Sequence, residues 1–254
     1  EQPSTLLLTI RDDKNNLVRR IKAPAKKGFN RVYWDLRYSG FEPVSAKGEA
    51  DAGWLVVPGT YSVSLSKVIA GVETPYGESQ SIEVASIDNR TFASNDRNAD
   101  LEFDTKAGRL YAAIAGSRKY LGELESRIAH VKAAITETLA LDQNMLTDAH
   151  NMQRELAEST LLLNGNSVVS KRAEPTATSV YGYIGYLLWS RSESTSAVNE
   201  QQRLRFGRAS EGYDKVYQRM VNLAEQVTVA EQAITQADGN WLPGTLPVNP
   251  TKNL

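Results

Sequence analysis

Two neighbouring stretches decide the fold of the N-terminal third: GFNRVYWDLRYSG at residues 28–40 and GWLVVPGTYSVSL at residues 53–65. In the second stretch Tyr61, Val63 and Leu65 alternate with serines. Strict alternation of apolar and polar residues is typical of a strand with one buried and one solvated face. The first third of the chain is therefore predicted to be a small antiparallel β-module.

Turn signals separate the predicted strands. Pro58-Gly59 predicts a turn in which the proline presets φ and the glycine accepts a positive φ. Asp12 to Asn16 form a hairpin loop, since Asp and Asn tolerate the left-handed conformation. In the first stretch Val32 and Trp34 alternate with polar residues and predict another strand.

These signals together predict a strand-rich N-terminal domain over residues 1–88. The predicted strands are 4–11, 17–23, 30–37, 55–57, 60–68 and 79–85, with an exposed loop over 41–53. Six or seven short strands at this spacing indicate an immunoglobulin-like antiparallel β-sandwich.

Heptad spacing replaces alternation after residues 86–94, where we place the domain boundary. Apolar residues then recur every seven positions, which is typical of a coiled-coil or bundle seam: Ile114, Leu121, Ile128 and Ile135. Further stripes predict helices over about 142–163, 179–190 and 199–238. An antiparallel four-helix bundle is expected over residues 94–238, so the fold class is α+β with two domains. The proline-rich tail, residues 239–254, should lie extended, anchored by Trp241 and Leu242.

Composition excludes several functions. The 254 residues carry a net charge of -1, which argues against nucleic acid as a partner. There is no cysteine, so thiolate metal sites, thiol nucleophiles and disulfides are absent. No apolar run is long enough for a transmembrane segment. The N-terminus shows no signal-peptide pattern and already resembles a strand, which suggests a mature or cut product or a piece of a longer protein.

Catalytic patterns are equally scarce. His130 and His150 fall on different predicted helices and lack zinc-site spacing, so neither is expected to bind metal. Asp96, Asn98 and Asp100 resemble the start of a calcium loop but lack its glycine and glutamate, which favours helix capping. Asp35 has no partner carboxylate for glycoside hydrolysis and should instead hydrogen-bond a loop or pair with Arg31 or Arg37. We expect no catalytic residue, no metal and no cofactor.

Aromatic side chains are the remaining candidates. Tyr181, Tyr183, Tyr186 and Trp189 lie within nine residues. They could stack on a sugar, anchor a partner protein, or simply pack a bundle helix. Further candidate interface residues lie in loops or on outward-facing strand positions: Tyr33, Phe41, Trp54 and Trp241. The alternative is that these rings seal the joint between the two domains.

Two sets of segments resemble a known family. The first comprises LTIRD (8–12), VRRI (18–21), NRVYWDLR (30–37) and VPGTYSVSL (57–65). It is similar to the immunoglobulin-like module of flagellar hook-capping and other exported bacterial proteins. The second comprises KRAEPT (171–176), YGYIG (181–185), STSA (194–197) and NWLPGTLP (240–247). In this order the two sets resemble the C-terminal region of exported sortilin-like or BNR-repeat β-propeller proteins labelled as glycosyl hydrolases.

The resemblance implies export to the periplasm, outer membrane or extracellular space, and a propeller domain preceding this region. Any hydrolase site would belong to that propeller, and this chain has neither Asp-box repeats nor a forty-residue blade period. We therefore expect a non-catalytic structural or interaction module, whose partner is its own propeller or a cell-envelope protein. A carbohydrate-binding accessory module that holds glycan is the alternative, and an enzyme in its own right is a third reading.

Overall fold

The computed structural model describes residues 4–43, 52–87, 94–138, 140–142, 144–247 and 249. Over these residues the protein is a mixed α+β fold with antiparallel sheets, which confirms the predicted class at that level. Most of the predicted 41–53 loop and of the 86–94 boundary lies outside the described residues. The division into domains at that boundary therefore stays a prediction.

Seven strands are present in the described residues. Their bounds are β1 Thr5–Arg11, β2 Leu17–Pro24, β3 Arg37–Ser39, β4 Ala52–Leu55, β5 Gly59–Ile69, β6 Val72–Pro75 and β7 Gln80–Val84. The larger sheet has the order β2-β1-β5-β6, and β7 pairs with the other half of the same β5 edge. A second sheet contains β3 and β4. All these pairs are antiparallel.

The apolar cluster of the strand-rich region lies on one face of β1, β2 and β5. Ile10, Val18, Val56 and Tyr61 are buried there. The Tyr61 hydroxyl donates a hydrogen bond to the Val57 carbonyl at 2.5 Å. Burial of the ring together with a partner for its hydroxyl satisfies both parts of the tyrosine side chain.

The predicted strand over residues 30–37 is wrong, since only Arg37–Ser39 forms a strand there. Side chains alternate in exposure from Arg31 to Asp35, but Leu36 has a φ of 56° and interrupts extended backbone. The strand expected at 55–57 lies instead at Ala52–Leu55. Gly59 begins β5 and does not have a positive φ, so the Pro58-Gly59 turn also differs from the prediction.

Five helices are present in the described residues: α1 Arg97–Glu137, α2 Asn144–Asn164, α3 Ser167–Lys171, α4 Val180–Ser192 and α5 Glu200–Gln236. Asp96 caps α1, its Oδ1 accepting hydrogen bonds from the Asn98 and Ala99 amides at 3.0 Å. Gly165 ends α2 with a φ of 82°, and its amide donates to the Leu161 carbonyl at 2.8 Å. A glycine in this conformation satisfies a terminal carbonyl without a Cβ clash.

The heptad seam of α1 is buried along its length. The side chains of Ile114, Leu121, Ile128 and Ile135 are at most 3% exposed. In α5, Val216, Leu223, Val227 and Ile234 are fully buried, and Ala149, Met152, Leu156 and Leu163 are buried in α2. The helical stripes predicted from the sequence are therefore the buried faces of these helices.

Contacts divide the chain into two compact units. The first comprises residues 1–109 and 186–203, and the second comprises residues 110–185 and 204–254. The strands thus share a unit with the start of α1, the end of α4 and the start of α5. The tail begins in the second unit, where Leu242 is buried. The Thr245 amide donates a hydrogen bond to the Leu242 carbonyl and closes a turn. The described part of the tail is therefore folded into a turn rather than extended.

Candidate interaction surface

Tyr186 and Trp189 lie together on the solvated face of α4. Trp189 is 72% exposed and Tyr186 is 48% exposed. Their ring centroids are 5.6 Å apart and the rings are inclined at 54°. Ile184, Leu187 and Arg191 on the same helix are fully or almost fully buried. The helix therefore packs by one face and presents an aromatic pair on the other, at the i, i+3 spacing that brings two side chains together.

Tyr181 and Tyr183 are only partly exposed, and both are covered by arginines of the second unit. The Arg118 guanidinium lies 4.0 Å from the Tyr181 ring centroid, and the Arg208 guanidinium lies 5.8 Å from that of Tyr183. Tyr181 also lies beside Tyr111 with centroids 6.0 Å apart. These two tyrosines thus take part in internal packing and do not extend the Tyr186–Trp189 pair into a row.

Trp54 and Phe41 are packed within the first unit. Trp54 is 6% exposed, and its ring centroid lies 6.2 Å from that of Phe41. The Phe41 ring also lies so close to Gly108 of α1 that a Cβ at that position would be 2.4 Å from it. Trp54 therefore belongs to the interior, and Phe41 is a half-buried neighbour that packs against it.

Tyr33 lies in a loop and is 75% exposed, with Phe29 nearby at 88%. The Arg31 guanidinium lies 5.7 Å from the Phe29 ring centroid and donates a hydrogen bond to the Tyr33 hydroxyl at 3.4 Å. Trp241 in the tail is 58% exposed, and its indole N–H donates to the Thr245 carbonyl at 3.0 Å. The aromatic candidates with the largest exposure are thus Tyr33, Tyr186, Trp189 and Trp241.

The titratable residues singled out from the sequence do not converge. His130 and His150 are exposed, and His150 Nδ1 lies 2.7 Å from the Leu146 carbonyl oxygen of its own helix. Asp35 forms its ion pair with Arg19 at 3.2 Å, rather than with the expected Arg31 or Arg37. Its carboxylate also accepts a hydrogen bond from the Arg37 backbone amide at 3.2 Å. Over the described ranges, no three histidine, aspartate or glutamate side chains gather as a metal site would require. No described helix is long and apolar enough to cross a membrane.

A buried ion pair, unexpected from the sequence, lies within the first unit. Arg191 Nε and Nη2 donate to the two carboxylate oxygens of Asp104 at 2.8 and 2.9 Å. Arg191 Nη1 also donates to the Ser196 carbonyl at 2.7 Å, and Asp100 accepts from the Val198 amide at 3.0 Å. These charged side chains therefore hold the backbone of the loop after α4 in place.

Shifted pKa values occur where side chains are buried or paired. Burial raises the pKa of Tyr61 well above its ordinary value, and the nearby Tyr38 raises it further. Burial likewise raises the pKa of Tyr38. In the second unit, hydrogen bonds from Arg219 lower the pKa of Glu155. Each of these shifts follows from burial of a hydroxyl or from an ion pair.

Comparison with protein-family models, with curated proteins and with solved structures finds no match to this chain. The evidence for the candidate surface is therefore the geometry of this chain. Sequence reasoning found Trp189 but not Phe29 or Arg31. A lone phenylalanine beside a glycine gives little periodic signal, whereas the run of basic residues around it could have drawn attention to the loop.

Proposed function

We propose that this chain is a non-catalytic module of a larger exported β-propeller protein, which docks on its own propeller or on a partner in the cell envelope. The finer fold that goes with this proposal is an immunoglobulin-like sandwich followed by a four-helix bundle. It is supported by the antiparallel five-stranded sheet with its buried cluster and by the long helices with heptad seams. The resemblance of the sequence to the C-terminal region of exported β-propeller proteins also supports this proposal.

The Tyr186–Trp189 pair carries the docking proposal. A tryptophan that is 72% exposed on an otherwise packed helix leaves a large apolar ring in water. Tryptophan, tyrosine and arginine dominate the energetics of protein interfaces, and truncation of one such anchor typically weakens binding by about 2 kcal/mol or more. The pair also has the size of an interface centre, since each large aromatic ring buries roughly 150–250 Å² when covered.

The same pair fits a protein partner better than a glycan. A sugar platform needs ring faces that can accept successive pyranose rings, but the two rings are inclined at 54°. Tyr181 and Tyr183 do not extend the surface, because arginines cover them. The carbohydrate-binding alternative is therefore the second choice.

The test is native mass spectrometry and pull-down of the protein from its source, with Trp189→Ala as the variant. We expect a specific partner, or the parent propeller, to be captured by the natural sequence and lost from Trp189→Ala. Tyr76→Ala is the matched control, since Tyr76 is 62% exposed in the first unit and should leave capture intact. Loss of partner capture with both variants, or with neither, would show that the Tyr186–Trp189 pair is not the docking site.

A further inference from the structure

Residues 14–34 contain seven basic and no acidic side chains, although the whole chain is almost neutral. Two of the seven form ion pairs, Arg19 with Asp35 and Arg20 with Glu73. The remaining five have no acidic partner among the described residues: Lys14, Lys22, Lys26, Lys27 and Arg31. This region of the first unit therefore carries a local positive field that the net charge of -1 conceals.

The loop after β2 presents the last three of these cations together with two aromatic rings. Gly28 has a φ of 99°, and the Asn30 side-chain amide donates to the Lys26 and Gly28 carbonyls at 2.7 and 3.1 Å. These bonds hold the loop in one shape around Phe29, which is 88% exposed. A loop already ordered in this way loses little conformational entropy when it binds.

Arg31 joins the two rings of the loop. Its guanidinium lies over Phe29 at 5.7 Å from the ring centroid and donates to the Tyr33 hydroxyl at 3.4 Å. One face of Phe29 is thus occupied by a cation, while the rest of the ring projects into solvent. The loop therefore combines an apolar tip, a phenol and several cations within one short segment.

We infer that this loop, residues 25–34, contacts a membrane surface of anionic lipid headgroups. Phe29 enters the boundary between headgroups and acyl chains, and Tyr33 lies at headgroup level, as amphipathic rings do. Lys26, Lys27 and Arg31 pair with lipid phosphates. The inference concerns a different surface from the Tyr186–Trp189 pair and stands independently of the proposed docking function.

Two observations favour a lipid surface over other polyanions. An acidic polysaccharide offers charge but no apolar interior, whereas Phe29 exposes 88% of its side chain as an apolar ring that could insert. Lysine is depleted from protein interfaces, yet two adjacent lysines precede the exposed ring. A projecting ring flanked by unpaired cations instead matches interfacial membrane contacts, in which apolar insertion and charge attraction act together.

The test is flotation of the whole chain with two kinds of vesicle. One contains phosphatidylcholine alone, and the other has phosphatidylglycerol as a quarter of its lipid. Each basic residue near an anionic surface strengthens binding about fivefold, so the three loop cations favour the anionic vesicles by roughly a hundredfold. Added salt should abolish this preference, because the field of the surface is screened within a Debye length.

Two variants assign the binding to the loop. The double substitution Lys26→Gln with Lys27→Gln should reduce binding to anionic vesicles by about 25-fold. Phe29→Ser should also weaken binding to the vesicles. Unlike the effect of the lysine substitutions, this loss should persist in added salt, because apolar insertion is not screened by ions. The matched controls are Lys119→Gln with Lys215→Gln, two exposed lysines of the second unit, and Tyr76→Ala. The loop side chains are exposed, so thermal unfolding should be unchanged in both loop variants.

Three outcomes would overturn the inference: equal binding to both vesicles, no binding to either, or equal losses in loop and control variants. Binding to polygalacturonate without binding to vesicles would assign the loop to an acidic polysaccharide instead. Loss of a protein partner from Phe29→Ser, again without vesicle binding, would assign it to a protein interface. A failure of Trp189→Ala to affect partner capture has no bearing on these results, so the two proposals fail separately.

Discussion

Arg191 and Asp104 form a two-pronged ion pair whose side chains are 0% and 5% exposed. An arginine and a carboxylate in this geometry satisfy one another with two parallel hydrogen bonds. Removing one partner leaves the other charge buried without compensation, which is far more destabilising than the pair itself is stabilising.

We therefore expect Asp104→Asn to lower the free energy of unfolding by about 3–5 kcal/mol. The substitution keeps the shape of the side chain and removes only its charge and one acceptor. Arg20→Gln is the matched control, because Arg20 pairs with Glu73 at 3.5 Å and both side chains are well exposed. Arg20→Gln should lower the free energy of unfolding by no more than about 1 kcal/mol. Urea titration measures the free energy of unfolding of both variants. Equal losses of stability would contradict the expectation that the buried ion pair matters more than the exposed one.

Alanine substitution at two glycine positions should change the free energy of unfolding in opposite directions. A Cβ on Gly53 would lie 2.4 Å from the Ser39 carbonyl oxygen on the paired strand, so the backbone must move, at a cost of about 1–3 kcal/mol. A Cβ on Gly122 in α1 would meet nothing within 4 Å, and alanine there should stabilise by about 1 kcal/mol. Thermal unfolding distinguishes the two signs, and a stabilising Gly53→Ala would contradict the tight pairing of β3 and β4.

Alkaline pH should destabilise the first unit through its buried tyrosines. The pKa values of Tyr61 and Tyr38 are raised by burial in the folded state. Their contribution to stability is therefore fully present below the ordinary tyrosine pKa of 10.0, and it is lost as pH rises from there toward the folded values. Tyr61→Phe should lose about 1 kcal/mol at neutral pH with its hydrogen bond, and should show a flatter decline above pH 10.0.

Denaturant unfolding at a series of pH values measures this effect. Tyr76→Phe serves as the control, because Tyr76 is 62% exposed and its removal should leave the alkaline decline unchanged. A wild-type stability that stays constant above pH 10.0 would contradict the burial of these hydroxyls.

Acid should weaken the second unit through Glu155. Arg219 donates hydrogen bonds to both Glu155 and Glu158, and the first of these lowers the pKa of Glu155 from its ordinary 4.5. The pair therefore contributes stability above pH 4.5, which is lost as pH falls through the lowered value. Because the Glu155 and Arg219 side chains are 35% and 30% exposed, the contribution should not exceed about 1 kcal/mol.

Glu155→Gln should thus be slightly less stable than the wild type at neutral pH, with a smaller further loss on acidification. Glu174→Gln, an exposed glutamate outside any helix, provides the comparison. Indistinguishable acid profiles of wild type and Glu155→Gln would argue against the Arg219 pairing.

Periodic features were predictable from the sequence, and long-range polar contacts were not. The alternation in β5 and the heptads in α1 each repeat a short rule that burial imposes on every turn or pleat. The bounds of β5 and the buried face of α1 were therefore predicted correctly. Residues 30–37 alternate equally well, but the positive φ of Leu36 prevents a strand, and a leucine gives no local sign of that conformation.

The candidate surface was predictable only in part. Trp189 could be proposed from composition, yet its exposure depends on which face of α4 is buried. Trp54 looks equally suitable in sequence but is buried near Phe41, a neighbour that no local pattern identifies. The cations around Phe29 were visible in sequence, but averaging charge over the whole chain concealed them. Asp104 and Arg191 are 87 residues apart, so their pairing depends entirely on tertiary structure.

The loop between α4 and α5 has no regular secondary structure, yet its backbone is held from several directions. Arg191 and Asp100 bind the Ser196 carbonyl and the Val198 amide, and Arg37 binds the Ser192 carbonyl at 2.9 Å. Surface loops are usually the preferred places to lengthen, cut or label a protein, because little depends on their backbone. For protein engineers, the tight β5–β6 turn at Ala70 and Gly71 is the better insertion point, and the serine-rich segment after α4 should be left intact.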